Sequence, residues 1–376
     1  MASPTLAVTA KEAARARLAS LLLPAAPNRS AAEVTSWFGA MQSQDYSSGL
    51  WSLGARMSES TLDDILDAFE RAEVLRTWPM RGTIHTVASS DARWLLDLTG
   101  TRALQSSIGR RNQLELDDAT SERAALTLVD VLTERGRISR KDALSALQSE
   151  GIDTSGQRGY HLLWYAAQTG RTCIGPHDGS NQTFVLLDSW APEQTTYGRD
   201  DALIELAYRY FRSHGPASER DFAGWSGLTL TDCRRGIVGN QGRLRPITYD
   251  GVAGWVSAEI AEQVTDGQFR RTVPCVVLPG FDEFVLGYKD RTVQIPEGGF
   301  ERIVPGGNGV FRATVCLDGR VAGTWTRSLR ASGVDIVVEP LTAFSRTAMA
   351  QISRAFELYG HSLGLPVRLT TRQLDA

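Results

Sequence analysis

Lysine is scarce in this 376-residue chain: Lys11, Lys141 and Lys289 stand against 37 arginines. A GC-rich coding sequence produces such a bias, and so does a need for the guanidinium fork, which suits phosphate and guanine better than an ammonium does. Cysteine is equally thin. Cys173, Cys233, Cys275 and Cys316 are scattered without a CxxC spacing, each in or beside an apolar segment. That pattern reads as buried free thiols. The five histidines are dispersed, so spacing yields no ligand set, and neither a metal nor another cofactor is expected. No run approaches the ~18 uninterrupted apolar residues of a membrane span. Residues 1–15 lack the charged-then-apolar order of a signal peptide. The expectation is a cytoplasmic protein with no membrane partner.

What is present is ordinary in amount and uneven in placement. Hydrophobic residues make up 42% and charged residues 22%, as in a globular protein long enough for two to four units. A net charge of −3 argues against indiscriminate coating of nucleic acid. Yet acids crowd Glu59 to Glu73 while Arg135, Arg137, Arg140 and Lys141 stand together. A local basic face can hold DNA within an acidic protein.

An internal repeat organises the middle of the chain. Arg135-Gly136-Arg137-Ile138-Ser139-Arg140-Lys141-Asp142 matches His214-Gly215-Pro216-Ala217-Ser218-Glu219-Arg220-Asp221, with Gly, Ser and Asp in register 79 residues apart. Each copy follows a helical run, Glu122 to Glu134 or Leu203 to Arg212. In each, Gly ends one helix, and Ser with an acid three residues on begins the next. A third copy reads from helix Ala13 to Leu23 into Ser30-Ala31-Ala32-Glu33. Hairpins are expected around Asp178-Gly179, Asp250-Gly251 and Asp318-Gly319, and strands within Leu75 to Val87. Helix, tight turn, capped helix, third helix and hairpin is the order of a winged helix-turn-helix. The resulting expectation is an α+β chain of three tandem winged units, 10–115, 116–198 and 199–270. A β-rich segment, 271–376, follows and is closed by a helix over Leu341 to Tyr359.

Val34, Trp37, Phe38 and Met41 fall at helical spacing, so the helix is expected to deliver Gln42-Ser43-Gln44 at its end from a rigid support. Two glutamines there also suit a plain helix ending that bonds loose carbonyls. Asp45, next in line, is either a base or a group bonding turn amides. Strand alternation puts Arg81, Thr83 and His85 on one face, as a satisfied internal network or as lesion and phosphate contacts. Trp78 reads as core. Arg137, Arg140 and Lys141 open the second helix of the middle unit, where side chains and helix amides suit phosphate; a solvated surface is the other reading. Phe281-Asp282-Glu283-Phe284 and Tyr288 to Arg291 read as a structural ion network, with Asp282 an outside candidate.

Several phrases together resemble one family. Met41-Gln42-Ser43-Gln44-Asp45, Arg76-Thr77-Trp78-Pro79-Met80-Arg81-Gly82-Thr83-Ile84-His85, Leu278-Pro279-Gly280-Phe281-Asp282-Glu283-Phe284, Gly287-Tyr288-Lys289-Asp290-Arg291 and Asn308-Gly309-Val310-Phe311-Arg312 look like the winged-helix DNA glycosylases of the AlkZ type. The resemblance implies a C-shaped body of three winged helices plus a β-barrel-like element, with duplex DNA in its channel. It implies hydrolysis of the N-glycosidic bond of N7-alkylated guanine, including bulky adducts and interstrand crosslinks, in repair or in self-resistance to a genotoxic natural product. The family pattern of glutamine, aliphatic residue, glutamine maps onto Gln42 and Gln44; Ser43 departs from it. With so few amines for a Schiff base, a monofunctional enzyme without lyase activity is expected. The competing readings are a winged-helix transcriptional regulator with a C-terminal ligand-sensing domain, and a noncatalytic scaffold. No dimerisation stripe stands out, and a monomer is expected.

Overall fold

The computed structural model describes residues 6–25 and 28–372. It is mixed α+β and separates into two compact units: one from residues up to Phe38, Asp45–Ile65 and Leu203 onward, the other from Gly39–Gln44 and Leu66–Ala202. No described helix is long and apolar enough to cross a membrane.

The second unit is built on a six-stranded sheet. Its strands are β1 (Met41–Gln42), β2 (Val74–Met80), β3 (Thr83–Ala88), β4 (Arg137–Ser139), β5 (Thr172–Asp178) and β6 (Asn181–Leu186), in the spatial order β1-β3-β2-β5-β6-β4. That order is two like halves joined back to back. In each half a seven-residue strand and a six-residue strand form the hairpin, and a short strand from upstream pairs with the second hairpin strand. The joint is the single pairing of Arg76 with Ile174, each the third residue of its strand. Trp78, Ile84, Leu128, Leu162, Ile174 and Phe184 belong to one buried cluster, so Trp78 is core as its sequence context suggests.

The first unit holds two smaller sheets. Leu6–Val8 runs parallel to Leu244–Tyr249, which pairs antiparallel with Val252–Ser257. A five-stranded sheet runs through Val276–Leu278, Ala313–Leu317, Arg320–Arg330, Gly333–Pro340 and Val367–Thr371. Its hairpin turns at Asp318 and Gly319, both at positive φ (51° and 84°), as a two-residue turn requires. Helix Arg346–Ser362 buries Ile352, Phe356 and Tyr359 in one cluster with Val334, Ile336 and Val338. It begins later than expected, because Ser345 accepts from the Ala348 amide as its cap; Phe344 lies outside it. The strands Gly333–Pro340 and Val367–Thr371 have no counterpart in the sequence reading.

Three buried thiols, Cys173, Cys233 and Cys316, and the half-buried Cys275 are all unpaired. Asp282 and Glu283 sit in a buried polar network: Arg56 grips Asp282 through both terminal guanidinium nitrogens at 2.8 and 3.0 Å, and the His214 ring and the Trp225 indole meet Glu283 at 3.3 and 3.0 Å. Asp282 also caps the next short helix through the Phe284 amide, so its carboxylate is committed to structure.

Candidate active site

Gly39, at φ 84°, ends helix Ala31–Phe38, so the glutamines do not close that helix as expected. Met41 and Gln42 instead form β1, Met41 opposite Thr86 and Gln42 opposite His85. The second half shows what this position otherwise holds. Ile138 lies opposite Phe184 and Ser139 opposite Thr183, and Ser139 at once caps helix Arg140–Ser149 by accepting from the Asp142 amide. The same arrangement recurs downstream, where Ala217 bridges Trp255 and Ser218 caps Glu219–Ser226. Gln42 thus occupies the register position of the cap Ser139. In the first half the cap is postponed to Asp45, which accepts from the Ser48 amide to start helix Tyr46–Gly54. The counterpart of the repeat's cap is Asp45, not Ser30, although Ser30 and Glu33 do exchange bonds of 2.8 and 3.2 Å ahead of the preceding helix.

The residues added between pairing position and cap are tied to one partner strand. The Ser43 amide donates to the Ile84 carbonyl at 2.9 Å. The Ile84 amide in turn donates to the Gln44 side-chain oxygen at 3.0 Å, so a carboxamide continues the ladder where a backbone carbonyl would stand. That contact assigns the Gln44 amide orientation, its –NH₂ lying away from Ile84. Gln44 is exposed, Gln42 is 8% exposed and Ser43 is 1% exposed, its hydroxyl buried without a hydrogen-bond partner.

Directly opposite residues in a sheet project to the same face, so Gln42, His85 and Thr77, paired in turn across β1, β3 and β2, form one polar row. His85 is fully buried, and its Nδ1 lies 2.9 Å from the Thr83 carbonyl. A carbonyl only accepts, which puts the ring proton on Nδ1. Thr83 shares the parity of His85 and is half-buried, but Arg81 does not join them as expected. It is exposed at the hairpin turn with φ 53°, beside Gly82 at 71°, where strand alternation has ended.

Asp45 is exposed and accepts from the Ser48 amide at 2.8 Å and the Ser47 hydroxyl at 3.1 Å. Desolvation pushes its pKa up, but the bonds from Ser48 and Ser47 and the charge of Arg327 outweigh that and hold it below the usual carboxylate value. A carboxylate so stabilised is a poor base and a good helix cap. Arg137, Arg140 and Lys141 are exposed at the start of helix Arg140–Ser149; Arg137 pairs with Glu70 at 3.0 Å, and Arg140 lies 6.0 Å from the Tyr160 ring centre.

Two residues at this site escaped the sequence reading. Arg76, 3% exposed in a strand buried along its whole length, donates from Nη2 to the Ser43 carbonyl at 2.8 Å. Its Nη1 lies 2.8 Å from His177 Nε2. The available signal was a lone charged residue inside a strand that is apolar apart from Thr77, since arginine is rarely fully buried without a task.

The chain is similar to known DNA glycosylases. The family described as DNA glycosylase AlkZ-like matches residues 35–361. An interstrand DNA cross-link repair glycosylase of Streptomyces sahachiroi is 26% identical over 366 residues, covering 90% of this chain and 93% of that protein. The solved structure of the Streptomyces sahachiroi DNA glycosylase AlkZ superposes with a TM-score of 0.80 over 97% of this chain and 100% of that one, at 21% identity, a likeness of fold. With the family match spanning most of its length, the chain belongs to the AlkZ-like DNA glycosylases.

Proposed function

We propose that this protein is a monofunctional glycosylase that hydrolyses the N-glycosidic bond of N7-alkylated guanine in duplex DNA, bulky adducts and interstrand crosslinks included. One observation carries the reading. Of the two like halves of the sheet, only one inserts residues between pairing strand and helix cap, and those residues bring a second glutamine beside Gln42.

The chemistry explains why amides suffice. Glycosidases acting on neutral leaving groups need a carboxylic acid to protonate them. An N7-alkylguanine is already a cation: as C1′–N9 breaks, the bonding pair neutralises the ring and the base departs uncharged. Water oxygen then joins C1′ and its proton passes to solvent. What the protein supplies is placement of that water and support for positive charge growing on the sugar. In this reading the Gln42 side-chain oxygen accepts from the water. Gln44, anchored at Ile84, directs its –NH₂ toward Gln42 or the water, and His85 backs Gln42 in the polar row. Neither amide removes a proton at neutral pH, so the water is aimed and weakly polarised. Asp45 serves as helix cap.

The three recurrences of helix, short strand, capped helix, helix and hairpin serve in this proposal as winged-helix units, 10–115, 116–198 and 199–270, with 271–376 as the β-rich closing element. Arg137, Arg140 and Lys141 contact backbone phosphate, Arg81 and Thr83 the lesion strand, and the protein acts as a monomer on bacterial nucleoid DNA. Self-resistance to a DNA-alkylating natural product suits a preference for bulky adducts.

The test is duplex DNA carrying one N7-alkylguanine, small or bulky, with free modified base and alkali-labile sites as readouts. Release without borohydride-trapped enzyme is expected. No release from either lesion sinks the proposal, and a trapped covalent complex sinks its monofunctional part.

A further inference from the structure

We propose that Arg76 is a positioning residue that clamps the peptide between the two glutamines, with His177 fixing its guanidinium. This rests on the glutamines being the reacting amides.

The two halves of the sheet act as an internal control. Arg76 and Ile174 are the third residues of equivalent strands and face each other at the joint. The half without inserted residues has an apolar side chain there, packed in the core. The half that carries Ser43-Gln44 has a guanidinium, and its Nη2 ends on the Ser43 carbonyl at 2.8 Å. Burying that cation is costly unless each of its faces is used.

The clamp fixes two consecutive peptide planes. Ser43 N–H to the Ile84 carbonyl fixes the plane joining Gln42 to Ser43, and Arg76 to the Ser43 carbonyl fixes the plane joining Ser43 to Gln44. With both planes set, the Cα atoms of both glutamines are held in place. An aliphatic residue at the middle position would hold the segment by packing. Ser43 is buried but has only a short side chain, whose hydroxyl has no hydrogen-bond partner, so here the segment is held through its backbone.

His177 completes the arrangement from β5. Burial, then the charge of Arg76, hold its pKa down to about 4, so at neutral pH the ring is uncharged and its Nε2 accepts from Nη1. A guanidinium held at one end by an imidazole and at the other by a carbonyl has one orientation, which lysine cannot reproduce.

The experiment uses the full chain on duplex DNA with one N7-methylguanine. Single-turnover base release, DNA affinity by fluorescence anisotropy and thermal melting are measured for R76Q, R76K, H177Q, H177F, Q42A, Q44A and R76Q/Q44A. Release by R76Q and R76K should fall about a hundred-fold, the scale of an ångström-sized misplacement, with DNA affinity within about two-fold. H177Q, which keeps an acceptor, should stay near wild type while H177F falls about ten-fold. The double variant should be no slower than Q44A, because the clamp and the amide act as one unit. Wild-type release by R76Q and R76K, a parallel loss of DNA affinity, or additive loss in the double variant overturns the positioning role. If R76Q does not fold, the His177 pair decides: equal rates for H177Q and H177F overturn it. Full release by Q42A and Q44A removes the glutamine reading itself, whereas slow glutamine variants beside a fast R76Q overturn the clamp alone.

Discussion

The two halves of the six-stranded sheet share hairpin-strand lengths, pairing and a helix that follows the short strand, yet they end that strand differently. In the second half Ser139 pairs with Thr183 and caps the helix at once. In the first, Gln42 pairs with His85 and the chain then runs through Ser43 and Gln44 before Asp45 caps. The difference teaches that Ser43 and Gln44 elaborate a capping junction: the fold already needed a strand-to-helix turn there, and the inserted residues are held by the same partner strand. The one carboxylate beside them, Asp45, is a cap, while Asp282 is buried in an ion pair and Glu283 in hydrogen bonds elsewhere.

The strongest way to break this comparison is to erase it. Replacing Gln42-Ser43-Gln44-Asp45 with a single serine copies the second half's junction. Base release should disappear while circular dichroism stays native; retained release would show that the insertion is not the site. Next in size, Gln42→Ala and Gln44→Ala should each slow single-turnover release on the order of a hundred-fold, the scale of a lost positioning contact, whereas Ser139→Ala should leave the rate unchanged.

How much of this was legible beforehand follows from which signals are local. Turns at Asp250-Gly251 and Asp318-Gly319 were readable because positive φ at successive residues has few sequence solutions. The caps Ser139 and Ser218 were readable for a similar reason, since an oxygen must meet an amide three residues on. The end of helix Ala31–Phe38 is hidden in the sequence because apolar spacing continues through Met41; Gly39 breaks the helix, and Met41 is buried on a strand. Parity extends the strand pattern to Arg81, although the chain turns there. Arg76 and His177 lie on different hairpins, 101 residues apart, and meet only because the halves join at Ile174. No local pattern encodes such a meeting.

Smaller effects sharpen the contrast further. Arg140→Ala with Lys141→Ala removes two exposed cations at the second half's helix start. DNA affinity should fall about ten-fold at moderate salt, and the slope of log affinity against log salt should become shallower by about 2, near 0.9 for each lost phosphate contact. An unchanged slope would mean that this face does not meet the backbone. Smallest of all, Asp45→Ala and Ser139→Ala should each cost about 1 kcal/mol in chemical denaturation at neutral pH, the usual value of a helix cap. Only the first should depend on acid. Because the folded pKa of Asp45 is lowered, its contribution is complete above the ordinary value of 3.8 and is lost as pH falls through the lower folded value. The two variants' deficits should therefore diverge below about pH 4, that of Asp45→Ala shrinking.

The unpaired cysteines have a consequence of their own. Burial pushes Cys233 and Cys275 up to about 12 and raises Cys173 and Cys316 as well, so at neutral pH essentially none is thiolate. With only three lysines in 376 residues, the chain offers few soft or amine nucleophiles to an electrophile. An electrophile that meets this chain thereby finds little to consume.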